Sequence, residues 1–76
     1  MRYQAIRKET LEALREKYPA GCRVELISMN DPFTSLEAGE QGTVIHVDAI
    51  GTIHVNWDCG SSLGIVYRED ACRRIK

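Results

Sequence analysis

Thr43-Val-Ile-His-Val47, Asp48-Ala-Ile-Gly51 and Thr52-Ile-His-Val-Asn-Trp57 are consecutive, and their reading decides the fold. The first run is rich in β-branched residues, which suit a half-buried pleated surface. The second is a tight turn, with Gly51 available for a positive φ. The third alternates cleanly: Ile53, Val55 and Trp57 share one face, and Thr52, His54 and Asn56 share the other. Two strands and a short turn predict an antiparallel hairpin.

Working outward, Cys22-Arg-Val-Glu-Leu-Ile-Ser-Met29 alternates apolar and polar in its first half and predicts another strand. Between it and the hairpin lies Asn30 to Gly42, a connection of about a dozen residues, long enough to be suspected of function. Downstream, Asp58-Cys-Gly-Ser61 turns the chain into Ser62-Leu-Gly-Ile-Val-Tyr67, expected as a fourth strand. Glu69 to Ile75 is expected to add a short helical turn and a closing strand. Short strands with Gly-bearing turns, at Gly42, Gly51, Gly60 and Gly64, indicate a small antiparallel barrel or half-barrel.

Residues 3–18 have a helical period instead. Tyr3, Ile6, Thr10, Leu11, Ala13, Leu14 and Tyr18 fall on one side, and Gln4, Lys8, Glu9, Glu12, Arg15 and Glu16 on the other. Tyr18-Pro19 ends the helix, because proline disfavours helical geometry at the residue before it. The expected organisation is thus an N-terminal amphipathic helix over 1–18 and a small barrel over 19–76. The apolar stripe has two uses: capping an open end of the same barrel, or packing on a second copy.

The chain has 76 residues, which admits a single domain, with 28% charged and 43% hydrophobic residues. A chain this short hides only about 60% of its unfolded surface, so its core supplies roughly 3–5 kcal/mol net. This shortage is the reason to expect a homodimer or higher oligomer. A net charge of −1 excludes a protein that coats duplex DNA by charge alone. No apolar run approaches the roughly 20 residues of a membrane span. The first residues lack the apolar stretch of a secretory signal, so no membrane partner is expected.

Three cysteines, Cys22, Cys59 and Cys72, cannot all pair within one chain, and free thiols point to the reducing cytoplasm. Zinc sites show paired, closely spaced ligands. The scattered Cys22, His46, His54, Cys59 and Cys72 do not, and no metal or other cofactor is expected.

Charge is segregated along the chain. Residues 1–24 carry six basic and three acidic side chains, residues 25–58 no Lys or Arg and six acids, and residues 59–76 four basic and two acidic, giving blocks of +3, −6 and +2. If the ends meet in space they form a positive patch opposite a negative loop surface; otherwise each block is a solvated face.

Two stretches resemble a short uncharacterised domain-of-unknown-function family of bacterial phages and mobile elements. They are Asp31-Pro-Phe-Thr-Ser-Leu-Glu-Ala-Gly-Glu-Gln-Gly-Thr-Val44 and Val47-Asp-Ala-Ile-Gly-Thr-Ile-His-Val-Asn-Trp-Asp-Cys-Gly-Ser-Ser-Leu63. The resemblance covers roughly Gly21 to Ile75 and implies an SH3-like β-barrel, hence an α+β, mainly β fold. The Gly-x-Val-x-x-Val-Asp opening and the Val-x-Trp-Asp-x-Gly hairpin are similar, more loosely, to Tudor- and KOW-type barrels. Tyr67-Arg68 stands where similar sequences carry Pro-Gly, and Cys72 where they carry an aromatic residue. The resemblance implies no activity and assigns no site.

Catalysis needs a nucleophile, a base and an orienting group held together. Cys59 beside Asp58, with His46 and His54 on neighbouring strands, is the nearest approach, and the chain is read as no enzyme. Asp58-Cys-Gly-Ser-Ser-Leu-Gly64 has the small residues of an anion nest but no following Lys, so it is not a Walker-type loop. A binding module fits better. The first expectation is capture of a small anionic ligand, a nucleotide or cyclic nucleotide signal of host anti-phage defence. It would be held by Arg68, Arg73, Arg74, Tyr67, Trp57, His54, Ser61 and Ser62. The alternative is a protein–protein adaptor or inhibitor using the 30–41 loop against a host protein, with Phe33, Leu36, Tyr3 and Arg7 as partner-binding residues, or binding of a short nucleic acid.

Overall fold

The computed structural model describes residues 6–30 and 34–75. One helix, α1 (Lys8–Lys17), precedes four strands, β1 (Arg23–Ser28), β2 (Gln41–Val47), β3 (Ile53–Trp57) and β4 (Ala71–Arg74). They form one antiparallel sheet in the order β3-β2-β1-β4, so the last strand returns to pair with the first. The result is an α+β domain, mostly strand.

The hairpin expected from Thr43 to Trp57 is present as β2 and β3, with Val44 opposite Val55 and His46 opposite His54. Its alternation sets the core. Val24 and Val55 are 0% exposed and Trp57 2%, and they pack with Leu26, Val44, Val47, Ile53 and Ile65 on one face of the sheet. Burial of each such side chain is worth about 1.5–3 kcal/mol. Gly42 lies in β2 because the hairpin leaves no room for a side chain: a Cβ there would stand 2.9 Å from the Asn56 carbonyl oxygen and 2.9 Å from the Trp57 Cα.

The helix is shorter than the 3–18 period predicts, starting at Lys8 and closing where the Tyr18 amide donates to the Leu14 carbonyl at 2.9 Å. Leu11 and Leu14 pack against the core, and Tyr18 is buried in it. Arg15 Nε donates to the Val47 carbonyl at 3.2 Å. The apolar stripe therefore docks on its own sheet. Gly51, at φ 87°, lies under the helix start, where a Cβ would come within 2.7 Å of Ile6 Cδ1.

Two expectations change. Residues 62–67 are not a strand: among them only Ile65 pairs, in an isolated bridge with Ile53. The strand that completes the sheet is β4, and the sheet is not closed into a barrel among the described residues. The physical reason lies in how 61–66 is held, by side-chain donors and acceptors in place of a ladder. Ser61 Oγ accepts from the Leu63 amide, the Leu63 carbonyl accepts from Trp57 Nε1, and Asp70 accepts from the Val66 amide.

The second half of the long connection also belongs to the fold. The Gly39 amide donates to the Leu26 carbonyl and the Leu26 amide to the Glu40 carbonyl, each at 2.8 Å. Leu36 drops into the core at 7% exposure.

The chain ends do meet, at the C-terminus of α1, where Tyr18 Oη donates to the Cys72 carbonyl and Arg74 Nη1 to the Lys17 carbonyl. The charge blocks otherwise interleave. Arg23 pairs with Asp58 and Arg73 with Glu25, each joining a basic end to the acidic middle.

Candidate functional site

A cleft of about 430 Å³ opens on the seam of the curled sheet. Its walls are Met29 and Asn30 after β1, Thr52 and His54 at the start of β3, Ser62, Leu63, Gly64 and Val66 of the return segment, and Glu69 and Asp70 before β4. Residues from both sides of the sheet line one space, although β2 separates β3 from β1 in the strand order. The volume lies in the range of ordinary ligand sites.

Asp70 joins the two sides. One carboxylate oxygen accepts from the Asn30 amide at 2.7 Å and the other from the Val66 amide at 2.8 Å. The Asp70 and Glu69 amides donate back to the Val66 carbonyl, so Val66 to Asp70 is a turn. Through Ile65 this turn is tied to β3, and through Asn30 to β1.

Asp48 does similar work at the other end of the cleft. Oδ1 accepts from the Ile50 and Thr52 amides at 3.1 and 2.9 Å, the Asx pattern that fixes a turn. Oδ2 lies 2.8 Å from His54 Nε2. Partial burial works against the Asp48 charge, but the hydrogen bonds from His54, Thr52 and Ile50 outweigh it and hold the carboxyl below its ordinary value. The His54 ring also stacks on His46, centroids 4.5 Å apart and planes 8° from parallel. This histidine is thus oriented on two sides, by Asp48 and by His46.

The floor is apolar, from Met29, Leu63 and Val66, and the charged groups of the rim are carboxylates, Glu69 and Asp70. Among the described residues no Lys or Arg lines it.

The residues expected to hold a ligand are distributed. His54 and Ser62 line the cleft. Ser61 stands beside it, its hydroxyl engaged by the Leu63 amide at 3.3 Å. Trp57 is in the core, its indole N–H donating to the Leu63 carbonyl at 2.8 Å, so it supports the return segment from below. Arg73 and Arg74 are adjacent on a strand and point to opposite faces. Arg73 Nη2 meets Glu25 Oε1 at 2.8 Å on the outer face, while Arg74 reaches the last carbonyls of α1, a favourable place for a cation. Arg68 has φ 75° and its guanidinium lies 5.5 Å from the Tyr67 ring centroid.

Of the expected partner-binding residues, Arg7 is exposed at the N-cap of α1 and Leu36 is in the core; Tyr3 and Phe33 lie outside the described residues. Sequence reasoning missed Asp48, Asp70, Met29, Leu63 and Val66. The two aspartates carried a readable signal, each standing beside a Gly- or Val-bearing turn where an Asx bond forms.

The thiols are all free: Cys59 exposed on the β3 exit turn, Cys22 buried, Cys72 half-buried. Burial raises Cys22 and Cys72 above the ordinary thiol value, the opposite of an activated nucleophile. Burial likewise pushes Tyr18 up to about 12, so its hydroxyl stays a donor to Cys72. Among the described residues no cluster of three or more His, Cys, Asp or Glu is placed to hold a metal ion. None of the helices described is long and apolar enough to cross a membrane.

No curated protein matches the chain, and neither does any solved structure. A family model does, over residues 7–75, taking in α1 as well as the whole sheet and so reaching further than the Gly21–Ile75 resemblance. The chain belongs to the family described as a domain of unknown function, DUF4314.

Proposed function

We propose that this protein is a non-enzymatic binding module of SH3-like build, and that it binds a segment of another protein in the cleft between Met29–Asn30 and Ser62–Asp70. The SH3-like reading is supported by the meander in which β1 pairs with both β2 and β4, with a long 29–40 connection and a short turn before the last strand. The observation that carries the ligand class is the lining: apolar side chains with two carboxylates and, among the described residues, no Lys or Arg. Such a surface suits an apolar chain segment with a basic residue far better than a phosphate. The phage or mobile-element setting, with a host protein as partner in the reducing cytoplasm, follows from the resemblance and from three free thiols.

A small anionic ligand, such as a nucleotide signal sequestered from host defence, is the second reading. One feature favours it: Arg68 sits over Tyr67 with no carboxylate partner among the described residues, a cation and a ring side by side. A dimer that brings two such pairs together would complete that site, and native mass spectrometry reads the state directly.

The test sets the two readings against each other. A displayed random-peptide library is selected on the full chain, and a thermal-shift panel of nucleotides and cyclic dinucleotides is run beside it. Peptide binders that fail on Leu63→Glu and Val66→Glu support the protein partner. A nucleotide-dependent rise in Tm abolished by Arg68→Ala, with no peptide selected, overturns it.

A further inference from the structure

We propose that the partner segment enters the cleft as an added β-strand against Ser62–Val66, presenting a Lys or Arg side chain to Glu69 and Asp70. This rests on the protein-partner reading above and adds its mode and chemistry.

The return segment is no regular strand, yet one side of it is already used. Ile65 exchanges both of its backbone bonds with Ile53, at 2.9 and 2.8 Å, and the Leu63 carbonyl takes the Trp57 indole N–H. Those odd-numbered groups face β3. In extended chain, successive residues turn their N–H and C=O to opposite sides, so the groups of Ser62 and Gly64 face away from β3. Among the described residues they have no backbone partner, and both residues line the cleft. An edge of this kind is a template for another strand. Gly64 is pressed against the start of β3, where a Cβ would come 2.6 Å from Thr52 Cγ2.

The side-chain chemistry follows from the rim. Val66 is 41% exposed and Leu63 37%, and both put apolar surface into the cleft for apolar side chains of the added strand. Each Asp70 oxygen accepts one backbone amide, from Asn30 or Val66, and has a further acceptor site to offer, and Glu69 beside it is exposed. No basic group of the cleft compensates either. A cation supplied by the ligand does.

The probe is an acetylated and amidated pentapeptide, Thr-Val-Lys-Val-Thr, titrated to millimolar concentration into the uniformly 15N-labelled full chain. Amide shifts are expected at Ser62, Gly64 and Val66, with slowed exchange of the Gly64 amide. The Lys→Glu peptide should bind about tenfold more weakly, and Glu69→Lys, an exposed change checked for folding by circular dichroism, should reverse that order. A peptide N-methylated at its central residue keeps the side chains and removes the ladder, and it should not bind. Equal binding by the N-methylated or Glu peptide overturns the strand and charge proposal while leaving a protein-segment site. Absence of any shift with the Lys peptide overturns the proposal outright, and if nucleotides shift the Arg68–Tyr67 turn in the same experiment, the underlying reading fails with it.

Discussion

The β2–β3 hairpin and the return segment Ser61–Asp70 lie on the same edge of the sheet, yet they are built differently. In the hairpin the main chain supplies its own partners from Gly42–Trp57 to Val47–Ile53, interrupted only where the register shifts between Val44 and His46. In the return segment Ile65 is bridged to Ile53, turn bonds close on the Ser61 and Val66 carbonyls, and the side chains of Trp57, Ser61 and Asp70 supply further bonds in place of a ladder. A ladder uses up backbone groups, whereas side-chain staples leave some of them facing solvent. The cleft forms where the ladder stops. The cleft of so small a domain therefore belongs to the part of the sheet that is least sheet-like.

The comparison is broken most severely at Trp57, the residue common to both regions. Trp57→Ala empties the core and removes the Leu63 staple together, a loss of about 3–5 kcal/mol, which equals the roughly 3–5 kcal/mol expected of a chain this size. Circular dichroism at 25 °C should show an unfolded chain. Trp57→Phe keeps most of the packing and gives up the indole bond, costing about 1–2 kcal/mol, and it should fold with the Leu63 and Gly64 amides exchanging faster. If Trp57→Phe left those amides unchanged, the indole would not be what holds the segment.

How far the sequence foretold each region follows from the same contrast. The hairpin was legible because β-branched alternation and the Asp48–Gly51 turn are local signals that the ladder then obeys. The Ser62–Tyr67 strand was misread because its composition is strand-like while its neighbours are not ladder partners; no local pattern says whether an amide meets a carbonyl or an aspartate. In the same way Arg73 and Arg74 read as one basic patch, and strand alternation sends one to Glu25 and the other to the end of α1. His54 and Ser62 were legible as polar residues flanking apolar ones. Met29, Leu63 and Val66 were not, because an apolar floor is indistinguishable in sequence from core.

Asp70 is the next test, since it ties the seam without belonging to the core. Asp70→Ala leaves the Asn30 and Val66 amides without their acceptor and should cost about 2 kcal/mol. The hairpin amides should stay protected in hydrogen exchange while those of residues 62–66 lose protection. Uniform loss across the sheet would mean the two regions unfold as one unit.

Arg68 sharpens the comparison in the opposite direction. Its φ of 75° is one glycine adopts freely and other residues adopt at a cost of about 1 kcal/mol. Arg68→Gly should therefore raise the denaturant midpoint by about 1 kcal/mol equivalent. A stabilised variant that also loses a nucleotide response would show the strain to be retained for binding. One that is stabilised and keeps peptide binding assigns Arg68 no part in the cleft.

The smallest effect is at the hairpin turn, where a side chain also helps, and it has a defined pH window. The Asp48 carboxyl is held below its ordinary value of 3.8. The folded state then binds that proton less readily than the unfolded chain, so the stabilisation is present above about pH 4 and is lost as pH falls through the folded value. Asp48→Asn keeps an oxygen for the Ile50 and Thr52 amides but not the charge facing His54. The variant should be less stable at pH 6 by under about 1 kcal/mol, and the gap should narrow as pH falls below about 4. Asp58, held down by its hydrogen bonds to Arg23, weakens the fold over the same range, but it does so in both chains and cancels in the difference. A gap that persists unchanged to pH 3, measured by urea titration at each pH, would mean that Asp48 acts through turn geometry alone, and the hairpin would then be as independent of side-chain charge as its ladder suggests.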